Sequence, residues 1–402
     1  MNTYPSARAD AQFPLKRASA LARLDAFAPV AGAAYGKLRN LDRGPGQHEH
    51  VSRLSASLRR RVISEVDTIK RVLSLHGVGH AEKFISEIFW RTYWKGWLEQ
   101  RSSLWLDYER LVEREMQSLE ADGARSRRYR DATDARTGID CFDGWTKELL
   151  STGYLHNWSR MQFASIWIFT LGLPWALGAE FMRLHLIDGD PASNTLSWRW
   201  VAGLHTIGKA YLADAEKIKA MTNGRFAPVG LARQARIPIE EIVVPAPSSP
   251  RPAPPVDEKV ESLLLLSVED LSLETLPELS GLQVSAIAYL SGTDPYDSAA
   301  LDDAVLRAQA RWPNAERLGV YSDATTAAAR AQGCRQVVTG FVTVGPTVPH
   351  AETVRRSAEQ HQMIWTEHVR AWDRQAWPHC RKGFFALKEK IPALLRSAGL
   401  TA

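Results

Sequence analysis

Hydrophobic positions divide the chain into two parts with different patterns. Before residue 243, apolar residues recur at helical spacing over long stretches, as in His76–Gln100 and Trp158–Leu173. This part contains few of the alternating runs of β-branched residues that are typical of strands. After residue 257, short apolar runs alternate with helical patterns, which predicts a small α/β domain with a mostly parallel sheet behind an all-α domain. The elements predicted in this second part are Ser262–Val268, Val284–Leu290, Asp302–Trp312, Leu318–Tyr321, Ala324–Gln332, Gln336–Val344, Ala351–His361 and Met363–His368.

A proline-rich segment separates the two parts. Six prolines lie between Pro245 and Pro255. Proline fixes φ and lacks an N–H group, so this segment cannot form the interior of a helix or a strand. We therefore predict domains at residues 1–242 and 258–402, joined by a stiff, extended linker at residues 243–257.

Composition excludes several classes of protein. The 402 residues, 45% of them hydrophobic, are enough for a large core. No apolar run approaches the roughly 20 residues of a membrane span, and residues 1–13 lack the apolar core of a signal peptide. The cysteines form no CxxC pair, which predicts neither a disulfide framework nor a metal site. We expect a cytoplasmic protein with three reduced thiols, Cys141, Cys334 and Cys380.

Charge and tryptophan are concentrated in the first domain. Residues 1–240 contain 34 Lys and Arg against 26 Asp and Glu, whereas the remainder contains 16 against 19. Excess positive charge on one domain suggests a polyanionic partner for that domain. Ten of the 14 tryptophans also lie in residues 1–240. Core packing explains most tryptophans in a helical protein, but so many indoles also suit aromatic recognition or electron transfer.

Polar residues cluster in the segments Thr152–Met161 and Ile187–Trp200. In the first they lie within about one turn of a predicted helix and can point to one side, and in the second they open the next helix. An Asp N-cap with an Arg–Asp ion pair would explain them, and a polar ligand pocket is the alternative. A calcium loop is not predicted, because its glycine and its last glutamate are missing. The pocket candidates are Asn157, Arg160, Met161, Asp188, Asp190 and Asn194.

Two earlier stretches carry further candidates. The stretch Phe84–Trp94 contains a possible i,i+4 ion pair and a tryptophan stripe, which are also typical of an ordinary amphipathic helix. The stretch Ser52–Leu58 reads as a helix start, where hydroxyl and N–H groups cap the helix or hold a phosphate group. Upstream, Tyr35 and Arg39 lie four residues apart.

In order and spacing, these segments resemble the FAD-binding core of the photolyase/cryptochrome family from about residue 13 to residue 225. The resemblance implies one noncovalent FAD, working in its reduced form. The residues that it assigns to the diphosphate and ribityl side are Tyr35, Ser52, Arg53, Leu54, Ser55, Phe84 and Arg91. Those that it assigns to the isoalloxazine are Asn157, Arg160, Asp188, Asp190 and Asn194, the last of them beside flavin N5.

The substrate side resembles the subfamily that repairs cyclobutane pyrimidine dimers in DNA. A cavity that binds a flipped-out dimer needs apolar walls and a few polar groups that form hydrogen bonds with the base edges. The paired histidines of (6-4) photolyases are missing, since Leu155 precedes the single His156. The resemblance thus implies a monomeric, light-driven DNA-repair lyase; a cryptochrome-like blue-light receptor and a DNA-binding module with an empty pocket are the rivals. The implied lesion-contacting set is Glu87, Trp90, Asn157, Met161, Trp200 and, toward DNA, Arg39.

Two departures from the family pattern concern tryptophans. Trp158 replaces an arginine that usually meets a phosphate; it either stacks on DNA, which would favour single strands, or packs inward as core. Trp198 and Trp175 coincide with the first two members of the family's electron-transfer triad. The third position falls near Asp122, which is not aromatic, so that either Tyr129 substitutes or photoreduction is slower.

The second domain resembles a displaced antenna-type domain. Family members usually begin with a Rossmann-like α/β domain that binds an antenna chromophore. Here Ser267–Leu273 resembles the start of that domain and Cys380–Phe385 its end. Because about 145 residues form a compressed version of it, we expect no bound antenna.

Overall fold

The computed structural model describes residues 12–206, 208–239, 242–292 and 294–401. The helical domain extends from residue 12 to residue 221. Its longest helix, α5, carries much of the domain's aromatic core, including Phe89, Tyr93 and Trp97. The α-helices of this domain, α1 to α12 in chain order, are Arg17–Phe27, Ala33–Leu38, Ser55–Arg59, Glu65–Leu73, Val78–Glu99, Ser103–Ala121, Gly123–Thr133, Asp140–Thr152, Asn157–Ser165, Trp175–His185, Pro191–Val201 and Ala215–Met221.

Side chains fix where several of these helices begin. Ser64 starts α4 with a capping box, in which its hydroxyl accepts from the Asp67 N–H and the Asp67 carboxylate accepts from the Ser64 N–H. Asp122 caps α7 through the N–H groups of Ala124 and Arg125, both at 3.0 Å. Helix α9 continues into a π-helical turn at Ile166–Thr170. These local signals set the positions from which the functional side chains project.

The second domain is a five-stranded parallel sheet covered by helices. The strand order is β3-β2-β1-β4-β5, so that β1 lies in the centre. Ser262 of β1 stands beside Val284 on one side and Gln336 on the other. Strands β1 to β5 are Ser262–Leu266, Val284–Tyr289, Glu316–Val320, Gln336–Gly340 and Ile364–His368. Helices α13 to α18 are Asp297–Arg311, Asp323–Ala331, Val348–Gln360, Ala371–Ala376, Phe384–Lys388 and Ile391–Ser397.

Buried ion pairs join the two domains. Three consecutive arginines are buried at the end of the short helix α3. Arg59 is the last residue of this helix, and Arg60 and Arg61 follow it. Their partners lie in the second domain: Glu269 at 3.0 Å, Asp297 at 2.7 Å and Asp373 at 2.6 Å, respectively. Each arginine therefore has a carboxylate that the other domain supplies, which satisfies charges that burial would otherwise make costly.

The proline-rich segment follows the surface of the molecule. It contains neither helix nor strand from residue 242 to residue 257. The Ser248 N–H donates to the carbonyl of Gln100 at 2.9 Å, and Arg251 pairs with Glu367 at 2.7 Å. The segment is thus fixed to both domains and carries the chain from one to the other.

The predicted fold class is confirmed. Helix α5 and all five strands lie within about two residues of the predicted starts, although β1 and β4 end earlier than predicted. Helix α13 starts at Asp297, five residues before the predicted Asp302, because Asp297 turns inward to pair with Arg60. The helix predicted over Trp158–Leu173 ends as an α-helix at Ser165. In the described part of the chain, no helix is both long and apolar enough to cross a membrane.

Candidate functional site

Helix α9 presents polar residues from one face at its start. His156 caps the helix, since its Nδ1 accepts from the N–H of Trp158 at 3.3 Å. Asn157 is exposed, and Met161, one turn later, is half-buried. Arg160 lies between them on the same face, because residues three and four apart are neighbours on a helix. A solvent-accessible amide, a guanidinium and a thioether thus share one surface.

Arg160 and Asp188 form the predicted ion pair. The Arg160 Nη1 lies 3.2 Å from the Asp188 carboxylate, and the Arg160 Nε donates to the carbonyl of Leu155 at 2.8 Å. The guanidinium also sits over the Tyr154 ring, 5.7 Å from its centroid. Asp188 is buried, so the pair is shielded from water and its geometry is fixed from three sides.

Asp190 opens helix α11 and pairs with Arg91. One carboxylate oxygen accepts from the N–H of Ser193 at 2.8 Å, and the other accepts from Arg91 at 3.0 Å. Burial alone would raise the pKa of Asp190, but the charges of Arg91, Lys95 and Arg59 lower it to about 2. Asp190 therefore has the N-cap and ion-pair roles that the sequence left open, and much of the Arg91 charge is neutralised by Asp190.

Asn194 is held on the next turn of helix α11. Its Nδ2 donates to the carbonyl of Ala179 in helix α10 at 2.8 Å, and the side chain is buried. This bond fixes the orientation of the amide and leaves its oxygen available as an acceptor.

A cationic loop precedes helix α3. Arg23 donates to the carbonyls of Ser52 and Val51, at 2.9 and 3.0 Å, and so holds this loop against helix α1. Arg53, in the loop, has a φ of 57°. Burial, together with the charge of Arg53, lowers the pKa of Arg23 to about 10. Two guanidiniums this close favour an anion between or beside them.

Three predicted residues near this loop are buried in apolar surroundings. Tyr35 packs edge-on against Phe84 at 5.3 Å between ring centroids, and Leu54 is fully buried. Their side chains form the wall behind the loop. Ser52 and Ser55 are half-buried at its surface.

The predicted substrate-side residues form three separate contacts. Glu87 lies 3.5 Å from Arg39, and burial raises the pKa of Glu87 although Arg39 and Lys83 oppose the rise. Trp90 stacks face to face on Phe384 of the second domain, with ring centroids 3.8 Å apart. Trp200 packs on Tyr211 at 5.7 Å, and both Trp90 and Trp200 are half-buried. One face of the Trp90 indole is therefore already covered by the second domain, which sequence reasoning did not predict.

The structure places the Trp158 side chain in the core and not on a surface that faces DNA. The indole is buried and packs edge-on against Trp145, with ring centroids 6.5 Å apart. Its neighbour Asn157 is exposed instead. The expectation that Trp158 faces DNA does not agree with this position, because successive residues on a helix project about 100° apart and the core side is apolar. The expected preference for single-stranded DNA loses its structural basis.

The predicted electron-transfer residues are both buried but lie in different surroundings. Within the described residues, the Trp198 ring contacts Phe163 and Trp167. Trp175 instead contacts Tyr108 at 5.8 Å. Asp122, at the third family position, is exposed and caps helix α7.

A buried cluster of Asp42, His48 and Glu148 brings metal-ligand atoms within 4.8 Å of one another. His48 Nε2 lies 2.8 Å from Glu148, and the Trp145 Nε1 donates to Asp42 at 2.8 Å. Arg225 lies 2.8 Å from the same Asp42 oxygen. Because a guanidinium already supplies the positive charge, we assign a structural role to this cluster.

The helical domain thus carries a group of polar side chains at helices α9 and α11 and a cationic loop before helix α3. Residues 84–226 match the family described as the FAD binding domain of DNA photolyase. The deoxyribodipyrimidine photo-lyase of Escherichia coli strain K12 is 28% identical over 214 residues, 52% of this chain and 44% of that protein. A chloroplastic/mitochondrial cryptochrome DASH of Oryza sativa subsp. japonica is 41% identical over 71 residues, 18% of this chain and 12% of that protein.

The crystal structure of a bacterial class III photolyase from Agrobacterium tumefaciens matches with a TM-score of 0.44 and 25% identity, over 56% of this chain and 46% of that one. The chain matches less than half the length of these relatives. The helical domain belongs to the photolyase/cryptochrome family.

The residues present fit the flavin cofactor of that family. Several buried polar atoms of the described residues have no hydrogen-bond partner, and three of them belong to the candidate site: Arg53 Nε, Arg91 Nε and Ser193 Oγ. Buried donors without partners are costly, and a bound diphosphate or ribityl chain would satisfy them. Arg23, which the sequence analysis missed, belongs to the candidate site because it holds the loop at Ser52 in place. Its only sequence signal was a basic position in helix α1, which is common on any amphipathic helix.

Proposed function

We propose that the protein repairs cyclobutane pyrimidine dimers in DNA by light-driven electron transfer from reduced FAD. The observation that carries the proposal is the shared face of helix α9. It combines Arg160, paired to Asp188 in the flavin region, with the accessible Asn157 and Met161 at positions that the resemblance assigns to the lesion.

The cofactor would be held by the polar groups already described. Arg23 and Arg53 would meet the diphosphate, and Arg160, Asp188 and Asn194 would surround the isoalloxazine. Bound FAD supplies light absorption and the transferred electron. The contribution of the chain is electrostatic: a guanidinium beside the ring stabilises an anionic reduced flavin by Coulomb attraction.

Glu87 supports binding of a pyrimidine lesion. Its carboxylate, which pairs with Arg39, can accept a hydrogen bond from a pyrimidine N–H. Arg39, 3.5 Å away, holds it in place and is itself half-buried near the surface, where it can meet a phosphate. The free face of Trp90 and the Trp200 ring would form apolar walls for the flipped-out rings.

The second domain is proposed to act as a structural partner that carries no antenna. Ligands in such open sheets bind beyond the carboxyl ends of the strands, where the strand order reverses. Here that place follows β1 and is filled by Glu269, which contacts Arg59, Thr343 and Thr347. The crevice is therefore already used by the interface between the domains.

A second candidate function is that of a blue-light flavin receptor. It is favoured by Phe384, which covers one face of Trp90 and reduces the room for a lesion. Trp158 is buried at the position where the resemblance implies a phosphate-binding arginine, so one expected contact to DNA is lost.

Illumination of the reduced protein with dimer-containing oligothymidylate tests the proposal. We expect the dimers to disappear in the light and to persist in the dark. The matched variants are Glu87→Gln, which should lower repair but retain FAD, and Glu120→Gln on an exposed site, which should leave repair unchanged. A yellow protein that leaves the dimers intact would reject repair and favour the receptor, and a colourless one would reject both.

A further inference from the structure

Three aromatic rings form a continuous path from the flavin side of helix α11 to the surface. Trp198 packs edge-on against Trp167, with ring centroids 6.2 Å apart and an interplanar angle of 88°. Trp167 packs in the same way against Tyr129 of helix α7, at 5.7 Å and 88°. Trp167 is fully buried and Tyr129 is half-buried. The path thus begins in the core and ends at solvent.

Helix α10 is shaped to bring the first two rings together. A Cβ atom at Gly178 would lie 2.5 Å from the Trp198 ring and 2.7 Å from the Trp167 Nε1. Only glycine leaves room for both indoles at this point. The Trp167 Nε1 also donates to the carbonyl of Pro174 at 2.9 Å, which fixes the orientation of the ring.

Trp175, at the second family position, lies in unfavourable electrostatic surroundings for losing an electron. The Arg199 guanidinium sits 5.5 Å from its ring centroid. Trp175 also lines a surface cavity of about 750 Å³. The charged residues of that cavity are Arg114, Arg125, Arg233 and Arg236, together with Glu115, which pairs with Arg125 at 3.1 Å. Arginines outnumber carboxylates in this lining, which disfavours a positive charge on the Trp175 indole.

Tyr129, the last ring of the path, lies near a carboxylate. The carboxylate of Glu180 in helix α10 acts on it, and together with burial raises the pKa of the phenol. Glu180 also pairs with Arg183 at 2.6 Å and accepts from the Tyr108 hydroxyl at 3.1 Å, so its negative charge acts on the surroundings of both Tyr129 and Trp175. The flanking arginines of helix α7, Arg128 and Arg130, are exposed to solvent.

We propose that electrons reach Trp198 from Tyr129 through Trp167, and that Trp175 is not on the route. Trp198 gives one electron to the photoexcited oxidised flavin and takes one from Trp167, which takes one from Tyr129. Tyr129 loses its phenolic proton to water and becomes a neutral radical. A thiol in solution then returns one hydrogen atom to it. This inference rests on FAD binding at the proposed site.

Matched single variants test the route in the FAD-loaded protein, with a thiol as donor. Trp167→Phe and Tyr129→Phe should slow photoreduction about tenfold, equivalent to about 1.4 kcal/mol in a barrier. Trp175→Phe should retain the wild-type rate within about twofold, which is under 0.5 kcal/mol. The tyrosyl radical should be detected by transient absorption in the wild type and be lost in Tyr129→Phe.

Two other readouts separate failure of the route from failure of the proposed function. The visible spectrum before illumination reports FAD binding, and Tyr129→Phe keeps the ring on a half-buried site, so it should fold. In flavin-free protein, one-electron oxidation by azide radicals should produce less tyrosyl radical in Trp167→Phe and Tyr129→Phe than in the wild type. The inference is overturned if Trp175→Phe alone stops photoreduction, or if both route variants match the wild type.

Discussion

At the scale of single residues, buried charges determine what the candidate site can hold. Asp188 is nearly enclosed, and Arg160 is its partner at 3.2 Å. Removing one member of a buried pair leaves the other charge without compensation, which costs about 3–5 kcal/mol in full burial and less here, since Arg160 keeps 20% of its side chain exposed. The pair is therefore a sensitive probe of flavin binding.

Asp188→Ala should lose most of its FAD. The freed guanidinium would turn away from the pocket or repel the neighbouring cations, so the flavin would lose an ordered partner. Absorbance of the purified protein measures the occupancy, with Asp188→Asn as the control that keeps the size and an acceptor oxygen. Full occupancy in a folded Asp188→Ala protein would contradict the assignment.

The buried carboxyl group of Glu99 leads to a second prediction, which concerns how the free energy of unfolding depends on pH. It is buried at the end of helix α5 and accepts from the N–H of Val344. Burial raises its pKa to about 8, although Val344, Arg251 and Lys95 oppose the rise. Between the ordinary carboxyl pKa and about 8, the folded state holds one proton more than the unfolded chain. The free energy of unfolding contributed by Glu99 therefore falls as pH rises through this range.

Glu99→Gln cannot ionise and should remove this slope. The difference in unfolding free energy between the variant and the wild type should shift in favour of the variant by at least about 1 kcal/mol between pH 5 and pH 8. One pKa unit corresponds to about 1.4 kcal/mol. Denaturant unfolding at several pH values measures it, with the exposed Glu120→Gln as control. A constant difference from the wild type across this range would mean that Glu99 is already ionised at low pH.

At the scale of elements, helix α9 separates an exposed residue from a buried one at successive positions. Trp158→Arg would put a guanidinium beside Trp145 in an apolar cluster. We expect a loss of about 3 kcal/mol or more in unfolding free energy. Asn157→Ala, one residue earlier and exposed, should change stability by less than about 0.5 kcal/mol. Thermal unfolding and duplex-DNA affinity are the measurements; a stable Trp158→Arg protein with tighter duplex binding would place the side chain at the surface after all.

These elements show which parts of the fold and of the candidate site could be predicted from the sequence alone. Helix α5 and the strands were predictable, because their apolar period is regular over enough residues to be unambiguous. The Arg160–Asp188 pair was predictable through the resemblance, which fixed order and spacing. The π-helical turn after α9 was not, because it depends on how Trp167 packs in three dimensions. The inward position of Trp158 was not either, since an indole suits a core and a DNA surface equally well.

At the scale of the whole molecule, the two domains share one charged interface. The partners of Arg59, Arg60 and Arg61 could not be predicted, because each lies more than 200 residues away along the chain. Phe384 likewise reaches Trp90 from the second domain. The helical domain thus depends on the second domain for the neutralisation of its buried cations and for one wall beside the proposed lesion site.

Glu269 is the centre of this interface. It lies 3.0 Å from Arg59 and 3.7 Å from Lys95, and it accepts hydrogen bonds from Thr343 and Thr347. All five of these side chains are buried. Glu269→Ala would leave two cations from the helical domain without their carboxylate, whereas Glu269→Gln would keep the hydrogen bonds and lose only the charge.

Glu269→Ala should therefore lower the free energy of unfolding by about 3–5 kcal/mol, with Glu269→Gln in between. The control, Glu352→Ala, removes an exposed pair with Arg355 and should cost less than about 1 kcal/mol. Tryptophan fluorescence, which reports mainly the helical domain, and far-UV circular dichroism, which reports both domains, should follow one shared transition in the wild type and in all three variants. Equal losses in Glu269→Ala and Glu352→Ala, or two separate transitions in the wild type, would mean that the domains are stable independently and that the interface does not hold the flavin domain together.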